Sequence, residues 1–312
     1  MARTAYWMQC GGCGGDSIAL LNLQSPDLLE VLRALDLELL YHPSLSTVGP
    51  REHDALVRAI VSGERALDVL CVEGAIVRGP GGTGMFDVSR GRPRKDLVSA
   101  LAQQARWVVA VGTCAAYGGI SGASVVEATG LQFHQRTRGG FLGEGFVAKS
   151  GAPVINLPGC PVQPETVAAA LGAIVAGDAL ELDEHQAPVS LYGLRVHQGC
   201  TRNEYHEYRV EERGFGERGC LFFHMGCEGP MTRGACNRVL WNQRSSKTRV
   251  GVPCFGCTRP EFPRPTPFFE TPNIEGLPLE LPDGINRPHY LAYKTMAAAA
   301  APLRLRKRTS GV

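Results

Sequence analysis

The chain of 312 residues is 44% hydrophobic and carries 32 basic against 30 acidic residues, a net charge of +2. That length supports a sizeable core in about two domains, and the near-neutral balance excludes a surface built for nucleic acid or polyanions. No stretch approaches the roughly 20 apolar residues of a membrane span, and residues 4–9 lack the form of a secretory signal. A cytoplasmic setting is therefore expected, with the basic run at residues 304–308 a solvated end.

Residues 5–9 read as a first strand, followed by a helix over 17–22 that resumes at 27–33. Further strands are expected at 35–41, 66–72, 107–112 and 153–157, with helical patterns at 94–105 and 163–174. Strands alternating with helices predict an α/β fold with a parallel, flavodoxin-like sheet over residues 1–182. Past residue 183 the periodicity fades, and residues 197–263 are rich in Gly, Pro, Cys and Arg. Residues 183–312 therefore read as an irregular domain that needs metal to supply stability, ending in a helix at the alanine run 297–301.

Eleven cysteines in a reducing compartment point to metal rather than to disulfides. Cys71, inside the third strand, reads as an ordinary buried thiol. The other early cysteines fall at strand ends, where open parallel sheets bind ligands: Cys10 and Cys13 in Cys10-Gly-Gly-Cys-Gly-Gly-Asp16, Cys114 in Gly112-Thr-Cys, and Cys160 in Pro158-Gly-Cys. The glycines of the first loop do not make a phosphate cradle, since no P-loop lysine follows and the dinucleotide spacing fails.

Two later sets are denser. His197, Cys200, Cys220 and Cys227 offer one imidazole and three thiolates, a count that fits a 4Fe-4S cluster or a zinc ion equally. His206 and His224 are rival imidazoles that read as solvent-facing or locally hydrogen-bonded. Cys236, Cys254 and Cys257 supply three thiolates, suited to a 3Fe-4S cluster, or to a 4Fe-4S cluster if a non-cysteine ligand completes it. Ser246 and Lys247 stand where another cysteine would sit.

The run Cys227-Glu-Gly-Pro-Met-Thr-Arg-Gly-Ala-Cys236, with Trp241-Asn242 and Pro253-Cys-Phe-Gly-Cys257-Thr-Arg-Pro260, resembles the carboxy-terminal signature of nickel-iron hydrogenase small subunits. Val72-Glu-Gly74, Gly112-Thr-Cys-Ala-Ala-Tyr-Gly-Gly119 and Leu157-Pro-Gly-Cys-Pro161 resemble that family's loops around its proximal cluster. The resemblance implies an electron-transfer subunit with a proximal 4Fe-4S cluster, a medial cluster on Cys236, Cys254 and Cys257, and a distal 4Fe-4S cluster on the His197 set. It also implies an obligate large subunit that alone holds the nickel-iron centre and an external electron acceptor; pairing of two heterodimers is an option only on the general frequency of symmetric assemblies. Glu73 is placed near the proximal cluster by the same likeness.

The family's first loop carries cysteines six and nine positions after its strand tryptophan; counted from Trp7 these are Cys13 and Asp16. Cys13, Asp16, Cys114 and Cys160 are thus the expected proximal shell, a carboxylate replacing one thiolate. The alternative makes Asp16 a helix N-cap and brings Cys10 in as the fourth ligand. A three-cysteine, one-aspartate shell resembles the actinobacterial-type, oxygen-insensitive uptake hydrogenases. The loop from Cys220 to Cys227 is one residue longer than is usual in the family.

Overall fold

The computed structural model describes residues 2–122, 126–275 and 277–306; Lys307 and Arg308 of the basic run lie outside them. The chain forms two compact units, Met1–Leu191 with Thr258–Pro263, and Tyr192–Cys257 with Arg264–Val312. The boundary falls after residue 191 because the stretch beyond 182 is stitched to the sheet: Asn156 bonds the carbonyls of Gln186 and His185, each at 2.8 Å.

In the first unit, β1 (Arg3–Gln9), β2 (Leu37–Tyr41), β3 (Val69–Glu73), β4 (Trp107–Val111) and β5 (Ile155–Leu157) make one parallel sheet in the order β5-β4-β3-β1-β2. The strand expectations hold to within a few residues. β3, β4 and β5 are almost wholly buried, which is why they read as unbroken apolar runs rather than as an alternating pattern. Helices α1 (Gly15–Leu21), α2 (Leu28–Ala34), α3 (Pro50–Ser62), α4 (Arg94–Gln104) and α5 (Gly112–Tyr117) lie between the strands, and α6 (Pro164–Ala176) follows β5.

α3 is not among the expected helices, although its Leu56, Val57 and Ile60 make an apolar stripe against the core; Pro50 and the bond from the Gly49 amide to Glu52 at 2.9 Å start it. The register sets Gln9 opposite Glu73 and Glu73 opposite Val111. The carboxyl ends of the central strands are thus level, and the cysteine-bearing loops leave from one edge of the sheet.

The second unit has little regular structure before α7 (Arg287–Ala300), which begins well ahead of the alanine run and is capped by Asn286. Hydrogen bonds from buried side chains replace a large core. Arg202 donates to the carbonyls of Thr248, Glu217 and Gly219, at 2.6 Å for Thr248 and 2.5 Å for Gly219. Asn237 donates to Val196 at 2.8 Å and accepts from the hydroxyls of Ser246 and Thr248. A small apolar cluster of Phe222, Phe223 and Tyr290 packs beside Cys220.

The return segment Thr258–Pro263 is held in the first unit by Glu261, which takes Arg136 at 2.8 and 3.0 Å and Arg259 at 2.5 and 2.9 Å. Burial raises its pKa, but the two guanidiniums outweigh that and bring it from 4.5 down to about 2. A carboxylate depressed in this way contributes stability that is present above its unfolded value and lost as pH falls through its folded one. Glu261→Gln is expected to cost about 1–2 kcal/mol at pH 7, with the deficit shrinking between pH 4.5 and about 2. Thermal unfolding of both proteins across that range reads the difference.

Candidate iron-sulfur sites

At the sheet edge the loops are sewn together by their backbones. Cys10 N bonds Glu73 O at 2.7 Å, Gly11 and Ala75 exchange a pair of bonds at 3.0 and 2.8 Å, and Thr113 N bonds Gly159 O at 2.8 Å. Cys13 is exposed, while Cys114 and Cys160 are half-buried. Burial pushes the Cys114 thiol up to about 11, against the pull of the Ile120 amide, and the charges of Asp16, Cys13 and Glu73 add to the rise. Cys13, Asp16, Glu73 and Cys114 thus lie within reach of one another's charge at this edge.

Asp16 is 8% exposed and is not an N-cap. Gly14 occupies that position, and the Asp16 Oδ1 instead accepts from the Val162 amide at 2.6 Å, two residues beyond Cys160. Burial lifts its carboxyl to about 7, the Val162 bond opposing and Glu73 reinforcing the shift. Gly112, at φ +84°, leaves room for it, since a Cβ there would stand 2.0 Å from Asp16 Oδ2. Gly119, at φ +51°, makes the same allowance for the Cys114 sulfur, at 2.6 Å. Cys10 packs against the hydrophobic core, and the charges acting on its burial-raised thiol are those of Asp87, Arg94 and Glu73 rather than those of the other loop cysteines.

Glu73 organises this edge. Its Oε1 accepts from the amides of Asp16 and Ser17 at 3.0 and 3.1 Å. Its Oε2 accepts from Trp7 Nε1 at 3.0 Å, Ser17 Oγ at 2.5 Å and Gln9 Nε2 at 3.3 Å. Because α1 has no side-chain cap of its own, this distant carboxylate does that work for the free amides of its first turn.

In the second unit His197, Cys200, Cys220 and Cys227 line one small cavity. Amides point at its sulfurs, Arg202 N at 3.4 Å from Cys200 Sγ and Phe222 N at 3.5 Å from Cys220 Sγ. Burial raises the Cys227 thiol to about 11, the amides of Gly229 and Cys254 pulling it down and the charges of Cys200 and Glu228 pushing it up. Cys236, Cys254 and Cys257 act on one another's charge, with burial the larger influence on Cys236 and Cys254, and Cys254 also feels Cys227. The two late sets are neighbours.

Ser246 gives its hydroxyl to Asn237, and the Lys247 ammonium lies over the rings of Phe255 at 4.7 Å and Trp241 at 5.9 Å. Among the described residues, Asp183, Glu184 and His185 are the group of three whose ligand atoms all lie within 4.8 Å of one another; the cysteine sets are more open.

Comparison with known proteins gives this geometry a context. Residues 192–270 match the family described as the C-terminal part of the NiFe/NiFeSe hydrogenase small subunit, and residues 13–174 match NADH ubiquinone oxidoreductase, 20 Kd subunit. The F420 non-reducing hydrogenase II small subunit of Methanosarcina mazei is 31% identical over 283 residues, 82% of this chain and 72% of the relative. The chain belongs to the nickel-iron hydrogenase small subunits.

The periplasmic NiFe hydrogenase small subunit of Solidesulfovibrio fructosivorans is 27% identical, over 86% of this chain and 81% of its own length. Among solved structures, the actinobacterial-type NiFe-hydrogenase from Ralstonia eutropha H16 superposes with a TM-score of 0.78 at 26% identity, covering 99% of this chain and 92% of that one. As a small subunit this chain carries iron-sulfur clusters and transfers electrons, and it pairs with a large subunit that holds the catalytic site. No helix of the described residues is long and apolar enough to cross a membrane.

Sequence reading missed the Val162 amide and the aromatic setting of Lys247. Of the two readings of His206 the locally hydrogen-bonded one holds, through Arg209; the ring is buried, at 9% exposure, and its Nδ1 lies 3.4 Å from Cys220 Sγ. His224 is partly exposed beside Glu211 at 3.2 Å. Glu73→Ala would strand Trp7 Nε1 and two helix amides without an acceptor, at an expected cost of about 2–4 kcal/mol. Hydrogen exchange should show the Asp16 and Ser17 amides losing protection before those of β3.

Proposed function

We propose that this chain conducts electrons from dihydrogen oxidation on the large subunit to an external acceptor through three clusters. Cys13, Asp16, Cys114 and Cys160 would hold a proximal 4Fe-4S cluster. Cys236, Cys254 and Cys257 would hold a medial 3Fe-4S cluster, and His197, Cys200, Cys220 and Cys227 a distal 4Fe-4S cluster. Such clusters supply one-electron relays whose potentials the protein adjusts by ligand, hydrogen bond and burial.

The observation that carries this reading is the cavity lined by all four distal donors at once. Zinc holds sulfur at about 2.3 Å, which draws tetrahedral ligands within about 4 Å of one another. None of the three sets is that tight, whereas a polynuclear cluster holds its ligands farther apart.

Asp16 is favoured over Cys10 as the fourth proximal ligand because its charge reaches the Cys114 thiol and its carboxylate is fixed two residues beyond Cys160 by the Val162 amide, while Cys10 packs into the core. Carboxylate and thiolate bring the same charge, but the oxygen is the harder donor. Three-iron occupancy of the medial site is favoured because Ser246 is engaged by Asn237 and Lys247 lies over aromatic rings. Likeness to the Ralstonia eutropha enzyme and the aspartate at position 16 support membership of the actinobacterial-type, oxygen-insensitive uptake group. Eleven free thiols suit a reducing compartment such as the cytoplasm.

Electron paramagnetic resonance with iron and zinc analysis of the purified heterodimer tests the count. An oxidised 3Fe-4S signal and roughly eleven cluster irons per small subunit are expected. Roughly twelve irons without that signal would overturn the three-iron medial site, and stoichiometric zinc with little iron would overturn the relay. Asp16→Ala is expected to cost the proximal cluster one iron or its stability, whereas Asp16→Cys keeps it with an altered potential. Full retention of the proximal signal in Asp16→Ala would remove the aspartate from the ligand set.

A further inference from the structure

The assignment of His197, Cys200, Cys220 and Cys227 to one cluster leaves a second imidazole unexplained at the same site. His206 sits in the one-turn helix Asn203–Glu207. Its ring stands edge-on to His197, centroids 4.6 Å apart at 66°, and edge-on to Phe222 at 5.5 Å and 67°. Packed on both sides, it presents Nδ1 to Cys220 Sγ at 3.4 Å.

The other nitrogen faces Arg209. Nη1 of Arg209 lies 3.3 Å from His206 Nε2 and bonds His206 O at 3.0 Å. A guanidinium has only donors, so Nε2 must offer its lone pair and the ring proton must reside on Nδ1. A sulfur that ligates iron is a thiolate and can only accept. Both neighbours therefore demand the same tautomer. Arg209 is itself held in place by aromatic faces, its guanidinium 4.5 Å from the Tyr290 ring centre, 5.4 Å from Phe223 and 5.8 Å from Tyr293.

We propose that His206 is a positioning residue for the distal cluster: it donates its Nδ1 proton to the Cys220 thiolate, with the tautomer fixed by Arg209, and so raises the reduction potential of the last relay. The proposal rests on the distal ligand set above. A hydrogen bond to a cluster thiolate withdraws negative charge, and the reduced cluster, with one more electron, gains more from that than the oxidised one. The Arg209 charge one ring away acts in the same direction. An imidazole that only filled space would leave the potential where an apolar ring leaves it.

The test is a redox titration of the purified heterodimer followed by electron paramagnetic resonance, with iron content measured on every sample. The distal signal is assigned beforehand by its change in His197→Cys. His206→Phe keeps the volume and removes the donor; its distal midpoint is expected to move negative while the medial midpoint stays. His206→Gln, which restores an N–H, should return part of the way.

Arg209→Met, which frees the tautomer without touching the ring, should move the distal midpoint negative by less. The reduced distal cluster should also lose coupling to one exchangeable proton in His206→Phe. Unchanged distal midpoints in His206→Phe and Arg209→Met at full iron content would overturn the role of His206 and leave the ligand set standing. If His206→Phe does not assemble, His206→Met, which also lacks a donor, is read in its place, and an unchanged distal midpoint at full iron content overturns the role of His206. If no signal responds to His197→Cys, the ligand set itself falls.

Discussion

The cysteine-bearing edge of the sheet depends on one buried carboxylate. Glu73 ends β3 and takes donors from β1 and α1 together, joining Trp7, Gln9, Asp16 and Ser17 around two oxygens. A buried carboxylate is tolerable only when its lone pairs are filled, and here filling them fixes where the first loop must run. The loop delivers Cys13 and Asp16 with little regular structure of its own, so its precision comes from a neighbouring strand. The like charge of Glu73 beside Asp16 also discourages ionisation of the latter. A cation at that edge would relieve the repulsion, and iron is one.

The second unit meets the same problem differently. It lacks the apolar runs to close over its cysteines, and it uses Arg202 and Asn237 as knots that tie distant stretches of backbone. Every knot is a side chain buried with its hydrogen bonds met. The thiols inside are held above their ordinary pKa by burial. Cluster assembly must therefore draw protons out as it puts iron in, and the metal contributes to folding as well as to electron transfer.

Much of this is legible in the sequence. The strands β3, β4 and β5 are visible because burial on both faces makes them apolar without interruption, and the ligand candidates are visible because glycine, proline and cysteine recur in loop-forming order. α3 is legible too, since Leu56, Val57 and Ile60 form an apolar stripe against the core, but its charged opening turn reads as a loop. The role of Asp16 is ambiguous in sequence because Asp-Ser before an apolar run suits a cap and a ligand alike. In the fold Gly14 takes the cap position and Asp16 accepts from Val162, far along the chain, which excludes the cap. Val162 itself offers no signal, since its contribution is a backbone amide, and His206 looks ordinary because its partners, Cys220 and Arg209, are brought together by the fold.

Cys10 stands three residues from Cys13 yet is turned into the core, its thiol held in the protonated form by burial. A protonated thiol is a poor nucleophile. Cys10 is therefore slow to form a disulfide with its exposed neighbour. On the proposed ligand set, the fold would keep a spare cysteine beside the cluster loop without letting it lock that loop shut before iron arrives.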